Sequence, residues 1–263
     1  MSGRYTALTG GVGGAKLVDG LYRLLPANSL TAIVNTGDDF HHFGLEMRHD
    51  GEKVIAVEGQ AARFPRDTCP GAVAILQEVV GMPLDKRATA LGQYTNMRMH
   101  CTHLYDLLGL AIAHAACGRE HRRYDAMVPD RAPLDPAHPD SRFAGRTCPE
   151  LYRDGALVMH WQLQGNQLIG PADYAGISLG RGFREWTETL DLDEAEAAHV
   201  LRRATLIALG RLIDLQDLPP EGTQGMVGVC HSFQPEVARL SSRMLASSRD
   251  YSENPQGLLL NID

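Results

Sequence analysis

Asp50-Gly51 lies between two β-prone runs, and it constrains the fold more tightly than any other local feature of this chain. Before it, Phe43, Leu45 and Met47 alternate with more polar neighbours. After it, Val54 to Val57 begins a return run. Alternation of period two buries one face of a strand, and Asp-Gly suits the tight turn of a hairpin. Residues 42–64 are therefore predicted to form an antiparallel hairpin. Its apolar face needs a cover. Apolar runs predict two helices for that purpose, near residues 70–80 and 102–116, separated by Gly81-Met82-Pro83-Leu84.

Each of these helices opens on a cysteine. Cys69 lies in Thr68-Cys69-Pro70-Gly71-Ala72, and Cys101 in His100-Cys101-Thr102-His103-Leu104. A thiol at a helix N-terminus meets free backbone N–H groups and the positive end of the helix dipole, and both favour thiolate. Taken singly, each cysteine reads as a buried thiol. Taken as a pair with nearby histidines, they read as a site. Thiolate, imidazole and carboxylate donors suit Zn²⁺ or iron, so the expected metal ligands are Cys69, Cys101, His100, Asp39 and His42. Alternatively Cys101 is a nucleophile, with His103 as its base. Asp106, one helical turn on, then orients the imidazole, which makes Cys101, His103 and Asp106 the expected catalytic group.

Around this unit the chain divides unevenly. Residues 5–36 read as strand, glycine loop, helix and strand, with Leu30 to Asn35 as the second strand. Residues 124–149 are rich in proline and aspartate and read as a loop or linker. Leu151 to Trp161 and Gln162 to Ile169 suggest strands, with Asp154-Gly155 as a turn. Asp193 to Asp217 is the clearest helix, with Ala197, Val200, Leu201, Ala204 and Ala208 on one face. The expected architecture is α+β. A Gly-rich βαβ-like segment spans 1–37, the hairpin-plus-helices unit 38–123, the linker 124–149, and a strand pair with long helix and tail 150–263.

A net charge of −7 over 263 residues provides no basic field for nucleic acid, and no run reaches the length of a membrane span. Five cysteines in a long chain do not read as a secreted disulfide scaffold, and the N-terminus carries no signal-peptide core. The expected compartment is the cytoplasm, and the expected partner is a small molecule or a protein.

Three families are resembled in different parts of the chain. Thr9-Gly10-Gly11-Val12-Gly13-Gly14-Ala15-Lys16-Leu17 with Thr36-Gly37-Asp38-Asp39-Phe40 resembles the opening of 2-phospho-L-lactate transferases of coenzyme F420 biosynthesis, over residues 5–45. That resemblance implies phosphate binding by Gly10, Gly11, Gly13, Gly14 and Lys16, with Mg²⁺ as cofactor, as an alternative function. From Asp38 to the end the chain resembles a bacterial family called domain of unknown function 2889. The motifs that carry it are Asp38-Asp39-Phe40-His41-His42-Phe43, Arg48-His49-Asp50-Gly51, Thr68-Cys69-Pro70-Gly71-Ala72 and Cys101-Thr102-His103-Leu104. It brings no activity. Residues 42–116 also resemble, in pattern, NifU-type iron–sulfur scaffold proteins, which implies a hairpin packed with helices. A non-catalytic scaffold or binding module is the third functional class.

Overall fold

The computed structural model describes residues 30–135, 137, 143–213, 226–244 and 247–249. It is mixed α and β, with antiparallel sheets. The predicted hairpin is present as β2 (His42–His49) and β3 (Val54–Arg63), and β1 (Leu30–Gly37) pairs with β2 on the other side. Gly51 adopts φ 101° at the hairpin turn, a conformation that glycine reaches without a Cβ penalty. Phe43, Leu45 and Met47 are buried, whereas Ile55, Glu58 and Gln60 of β3 face outward.

The cover for that sheet is α2 (Thr102–Cys117), which packs on β1 and β2. Leu104, Leu107, Leu108, Ala111 and Ile112 are buried along it. The helix is enclosed on its far side as well. A Cβ placed on Gly109 would lie 2.7 Å from the Ala88 carbonyl oxygen, so only glycine lets the 88–93 segment approach this closely. The predicted helix near 70–80 is broken into three short pieces. Cys69–Gly71 is a 3₁₀ turn, α1 covers Ala72–Ile75, and Leu76–Val79 is again 3₁₀. Proline, glycine and β-branched residues in so short a stretch account for the irregularity.

The second half carries two small sheets. Its strands are β4 (Tyr124–Met127), β5 (Arg146–Thr147), β6 (Glu150–Arg153), β7 (Ala156–His160), β8 (Gln162–Gln164) and β9 (Gln167–Gly170). They pair in the orders β4-β6-β7 and β5-β8-β9. The expected loop at 124–149 is thus corrected at both ends. Tyr124 and Ala126 alternate into the core, and their partners on β6 lie too far along the chain for local pattern to reveal. After α3 (Phe183–Thr187), the long helix α4 spans Leu192–Ile207 and continues as 3₁₀ through Ala208–Leu212, shorter than the expected 193–217. Asp191 caps it by accepting the Glu194 N–H at 2.8 Å. A last short helix, α5, covers Pro235–Ala238. Among the described residues, no helix is long and apolar enough to cross a membrane.

One buried polar cluster joins α2, β4 and α4. Glu196 of α4 is buried. Its carboxylate accepts from Tyr124 Oη at 2.6 Å, Arg122 at 2.8 Å and Arg119 at 3.1 Å, and it lies 2.9 Å from His114 Nε2. Burial alone raises this carboxyl, but His114, Tyr124 and Arg122 overcome that and hold it at about 2. A depressed folded pKa stabilises above the unfolded value and is lost as pH falls towards the folded one. Stability is therefore predicted to decline from pH 4.5 to about 2 through this group. Glu196→Gln should cost about 1.5–3 kcal/mol at neutral pH, by weakening the charge-assisted hydrogen bonds from Arg122 and Arg119, which keep Asp193 as a partner. It should also flatten that acid-side slope, as urea titrations at several pH values will measure.

Candidate metal centre

The site is built where β1 hands over to β2. Asp38 follows the last residue of β1, and its Oδ1 accepts the N–H groups of Phe40 at 2.7 Å and His41 at 2.8 Å. This is the local turn that aspartate side chains favour. The same carboxylate meets two imidazoles. His41 Nδ1 lies 3.0 Å from Oδ1, and His103 Nε2 lies 3.0 Å from Oδ2. His103 belongs to the first turn of α2, so the contact ties the strand turn to the helix. The two imidazole rings stack with centroids 4.0 Å apart, and Phe43 lies against both at 5.9 and 5.8 Å. Arg63 at the end of β3 donates to the carbonyl oxygens of Asp38, Asp39 and His41, which fixes the turn from its other side.

Electrostatics follow from burial and from these partners. Desolvation raises the Asp38 carboxyl, but the His41 charge and the hydrogen bonds from His103 and His41 reverse this and hold it well below the usual range. His103 is pushed down to about 4 by burial and by His41, against the pull of Asp38. It is neutral near pH 7, the form in which imidazole binds metals. Its Nδ1 lies 4.0 Å from Cys101 Sγ. His42, beside the site, is also brought down to about 4, by burial and by Arg63, and its Nε2 is buried without a hydrogen-bond partner among the described residues.

Among the described residues, Asp38, His41 and His103 form a group whose donor atoms all lie within 4.8 Å of one another. Of the residues singled out from sequence, Cys101 lies against His103 of this group, and Asp39 and His42 adjoin it in the chain. Cys101 is the N-cap residue of α2, and Cys69 opens the 3₁₀ turn below it, accepting the Ser232 hydroxyl at 3.3 Å. Burial raises both thiols, and the first-turn amides of Leu104 and His103 do not overcome it at Cys101. Desolvation thus outweighs the helix-terminal effect that favoured thiolate. Cys230 is raised to about 11 by burial, with Cys69 adding to the effect.

His100 is wholly buried. Its Nε2 lies 2.6 Å from Thr95 Oγ1, and its Nδ1 has no hydrogen-bond partner among the described residues. Asp39 points to Arg211 at 3.5 Å, and Asp106 pairs with Arg203, so the carboxylate beside His103 is Asp38. Gly10, Gly11, Gly13, Gly14 and Lys16 lie outside the described residues. Asp38 and His41 stand in the run Asp38, Asp39, His41, His42 that the sequence places at the site, although Asp39 and His42 are the two expected there as ligands. The signal available for Asp38 and His41 was the Asp-x-x-His spacing directly before a strand.

His103 also faces a cavity of about 710 Å³ between α2, the 88–97 segment, α3 and α4. Of the three donor residues, only His103 lines this space, which is large enough for a small organic molecule.

Comparison with known proteins adds two findings. Residues 15–117 match the model of a family described as protein of unknown function (DUF2889), a stretch that includes Asp38, His41 and His103 and stops at the end of α2. Short partial matches are found to phosphoenolpyruvate transferases. That of Streptomyces avermitilis is 45% identical over 56 residues, 21% of this chain and 18% of the relative. Those of Streptomyces griseus and Kitasatospora aureofaciens are 43% identical over 56 residues and 42% over 57, with the same shares. The matches span under a fifth of the length of these curated relatives. No solved structure matches the chain. Nothing in these comparisons supports the likeness to iron–sulfur scaffold proteins.

Burial also orders the reactivity of the cysteines. Cys148 is exposed, Cys117 and Cys230 are partly exposed, and Cys69 and Cys101 are buried. Iodoacetamide at neutral pH should label Cys148 first and leave Cys69 and Cys101 untouched until the protein is denatured. Peptide mass spectrometry reads this directly, and rapid labelling of Cys101 in the folded protein would contradict the buried-thiol account.

Proposed function

We propose that Asp38, His41 and His103 hold one divalent transition metal, zinc or iron, and that the protein acts through this centre on a small molecule in the adjoining cavity. The observation that carries the reading is the spacing of the donors. Ligands sharing a tetrahedral ion at bond lengths of about 2.0–2.1 Å lie roughly 3.3 Å apart. Here Asp38 already lies 3.0 Å from each imidazole nitrogen. Two histidines and one carboxylate are a donor set used by both zinc and non-haem iron, and such sets leave positions open for water or substrate. When bound, the metal would supply Lewis acidity. This chain's own residues set the rest. Arg63 holds the turn carbonyls, Asp38 keeps its charge, and neutral His103 offers a lone pair.

A second reading is favoured by the order Cys101, His103, Asp38. A thiol 4.0 Å from Nδ1 of an imidazole whose Nε2 meets a carboxylate resembles a nucleophile, base and orienting acid. Raising the thiol by burial works against it. The partial likeness to phosphoenolpyruvate transferases supports a third reading, transfer chemistry that uses the glycine loop and Mg²⁺. It draws on a smaller share of the chain.

The test is metal analysis of protein purified without chelator. About one zinc or iron per chain is expected, removed by chelator and absent from Asp38→Asn and His103→Gln proteins whose circular dichroism is unchanged. Metal-free native protein that also takes up no Zn²⁺, Fe²⁺ or Co²⁺ would overturn the reading. The triplet would then be a hydrogen-bonded rivet.

A further inference from the structure

We propose that the cavity beside His103 is a binding site for a small organic anion with an apolar body, its anionic group held at the mouth by Arg184 and Tyr105. The proposal goes beyond the metal centre and does not depend on it.

The polar end is built from two unused donors. Tyr105 is 8% exposed, and its hydroxyl makes no hydrogen bond to any described residue, although it borders the cavity. It is therefore available to donate to a ligand there. Arg184 donates through Nε to Glu188 at 3.1 Å, which leaves its Nη atoms free for the cavity. The two converge. A Cβ placed on Gly92 would lie 3.2 Å from Tyr105 Oη and 3.3 Å from Arg184 Nη1. The absence of a side chain at Gly92 therefore keeps open the space between a hydroxyl and a guanidinium.

Charge and shape complete the assignment. Arg202, Arg203, Asp106 and Glu185 also line the cavity. Asp106 is already paired with Arg203, and Arg202 donates to the Leu179 carbonyl and lies over the Phe183 ring, 5.1 Å from its centroid. Arg203 is committed to Asp106, so the cationic edge left for an anion is Arg184, whose Nη atoms bond no described residue. Leu107, Leu110, Phe183 and Val200 provide apolar wall on which a hydrocarbon or ring can lie. Tyrosine as donor and a guanidinium with parallel N–H groups match a carboxylate, and a phosphate monoester presents the same oxygens.

The experiment uses the whole protein and isothermal titration with n-alkyl carboxylates of increasing length, the matching alcohols, and the matching alkyl phosphates. Trp186, whose ring lies 5.2 Å from Phe183, provides a fluorescence readout in parallel. Saturable binding of the carboxylates or phosphates is expected, tightening with chain length, with alcohols at least tenfold weaker. Comparing the two anion series identifies which headgroup the site prefers. Tyr105→Phe removes only the hydroxyl, and Arg184→Gln changes an exposed side chain, so both should fold. Each should weaken binding by about tenfold, the loss of one charge-assisted hydrogen bond. Gly92→Ala should weaken both anion series by filling the corner.

Binding that persists in Asp38→Asn, where the metal centre is lost, would separate this site from that one. Alcohols binding as tightly as anions, Arg184→Gln without effect, or no saturable binding into the millimolar range would each overturn the proposal.

Discussion

The Asp38 carboxylate is the point on which the first half of the structure depends. It accepts two backbone N–H groups of its own turn and meets two imidazoles, one from that turn and one from α2. A buried carboxylate without such partners would be costly. With them it stays charged and locks the β1–β2 connection onto the helix that covers the sheet. Arg63 closes the arrangement by binding the carbonyl oxygens that the turn leaves over. Hydrogen bonds to charged groups are each worth about 1.5–3 kcal/mol. The cluster is therefore a structural element, and its geometry is also that of the proposed donor set.

The two halves of the chain meet around α2. On one side it carries His103 to the Asp38 turn. On the other it presents Tyr105, Leu107 and Leu110 to a cavity whose far walls come from α3 and α4. The Glu196 cluster holds α4 against the C-terminal end of α2 and against β4, which keeps that far wall in place. The proposed centre at the first turn of α2 and the cavity along the side of that helix would bring donors and a small molecule together. The family match ends where α2 ends, at residue 117, so the donor set lies inside the matched stretch while α3 and α4, which complete the cavity, lie beyond it.

Much of this was legible in the sequence. The Asp50-Gly51 hairpin, the helix after Cys101 and the amphipathic helix after residue 190 followed from local pattern, because turn chemistry and period are local properties. β4 and β5 were hidden in a proline-rich stretch, since their pairing partners are long-range. The site was legible as a neighbourhood and less so atom by atom. In the run Asp38-Asp39-Phe40-His41-His42, adjacent residues on or near a strand face opposite ways, and sequence alone does not fix which of each pair faces α2. The structure turns Asp38 and His41 to His103, while Asp39 meets Arg211. Cys69 and Cys101 do open helical turns as expected. Their chemistry is set by burial, a tertiary quantity that a sequence motif does not contain.

The central claim is the proposal that nitrogen and oxygen donors, not sulfur, would hold a metal here. X-ray absorption on the zinc- or cobalt-loaded protein tests it most directly. The account predicts a first shell of light atoms at about 2.0–2.1 Å with the outer-shell signature of two imidazoles. A sulfur shell at about 2.3 Å would contradict it and move the centre to Cys69 and Cys101.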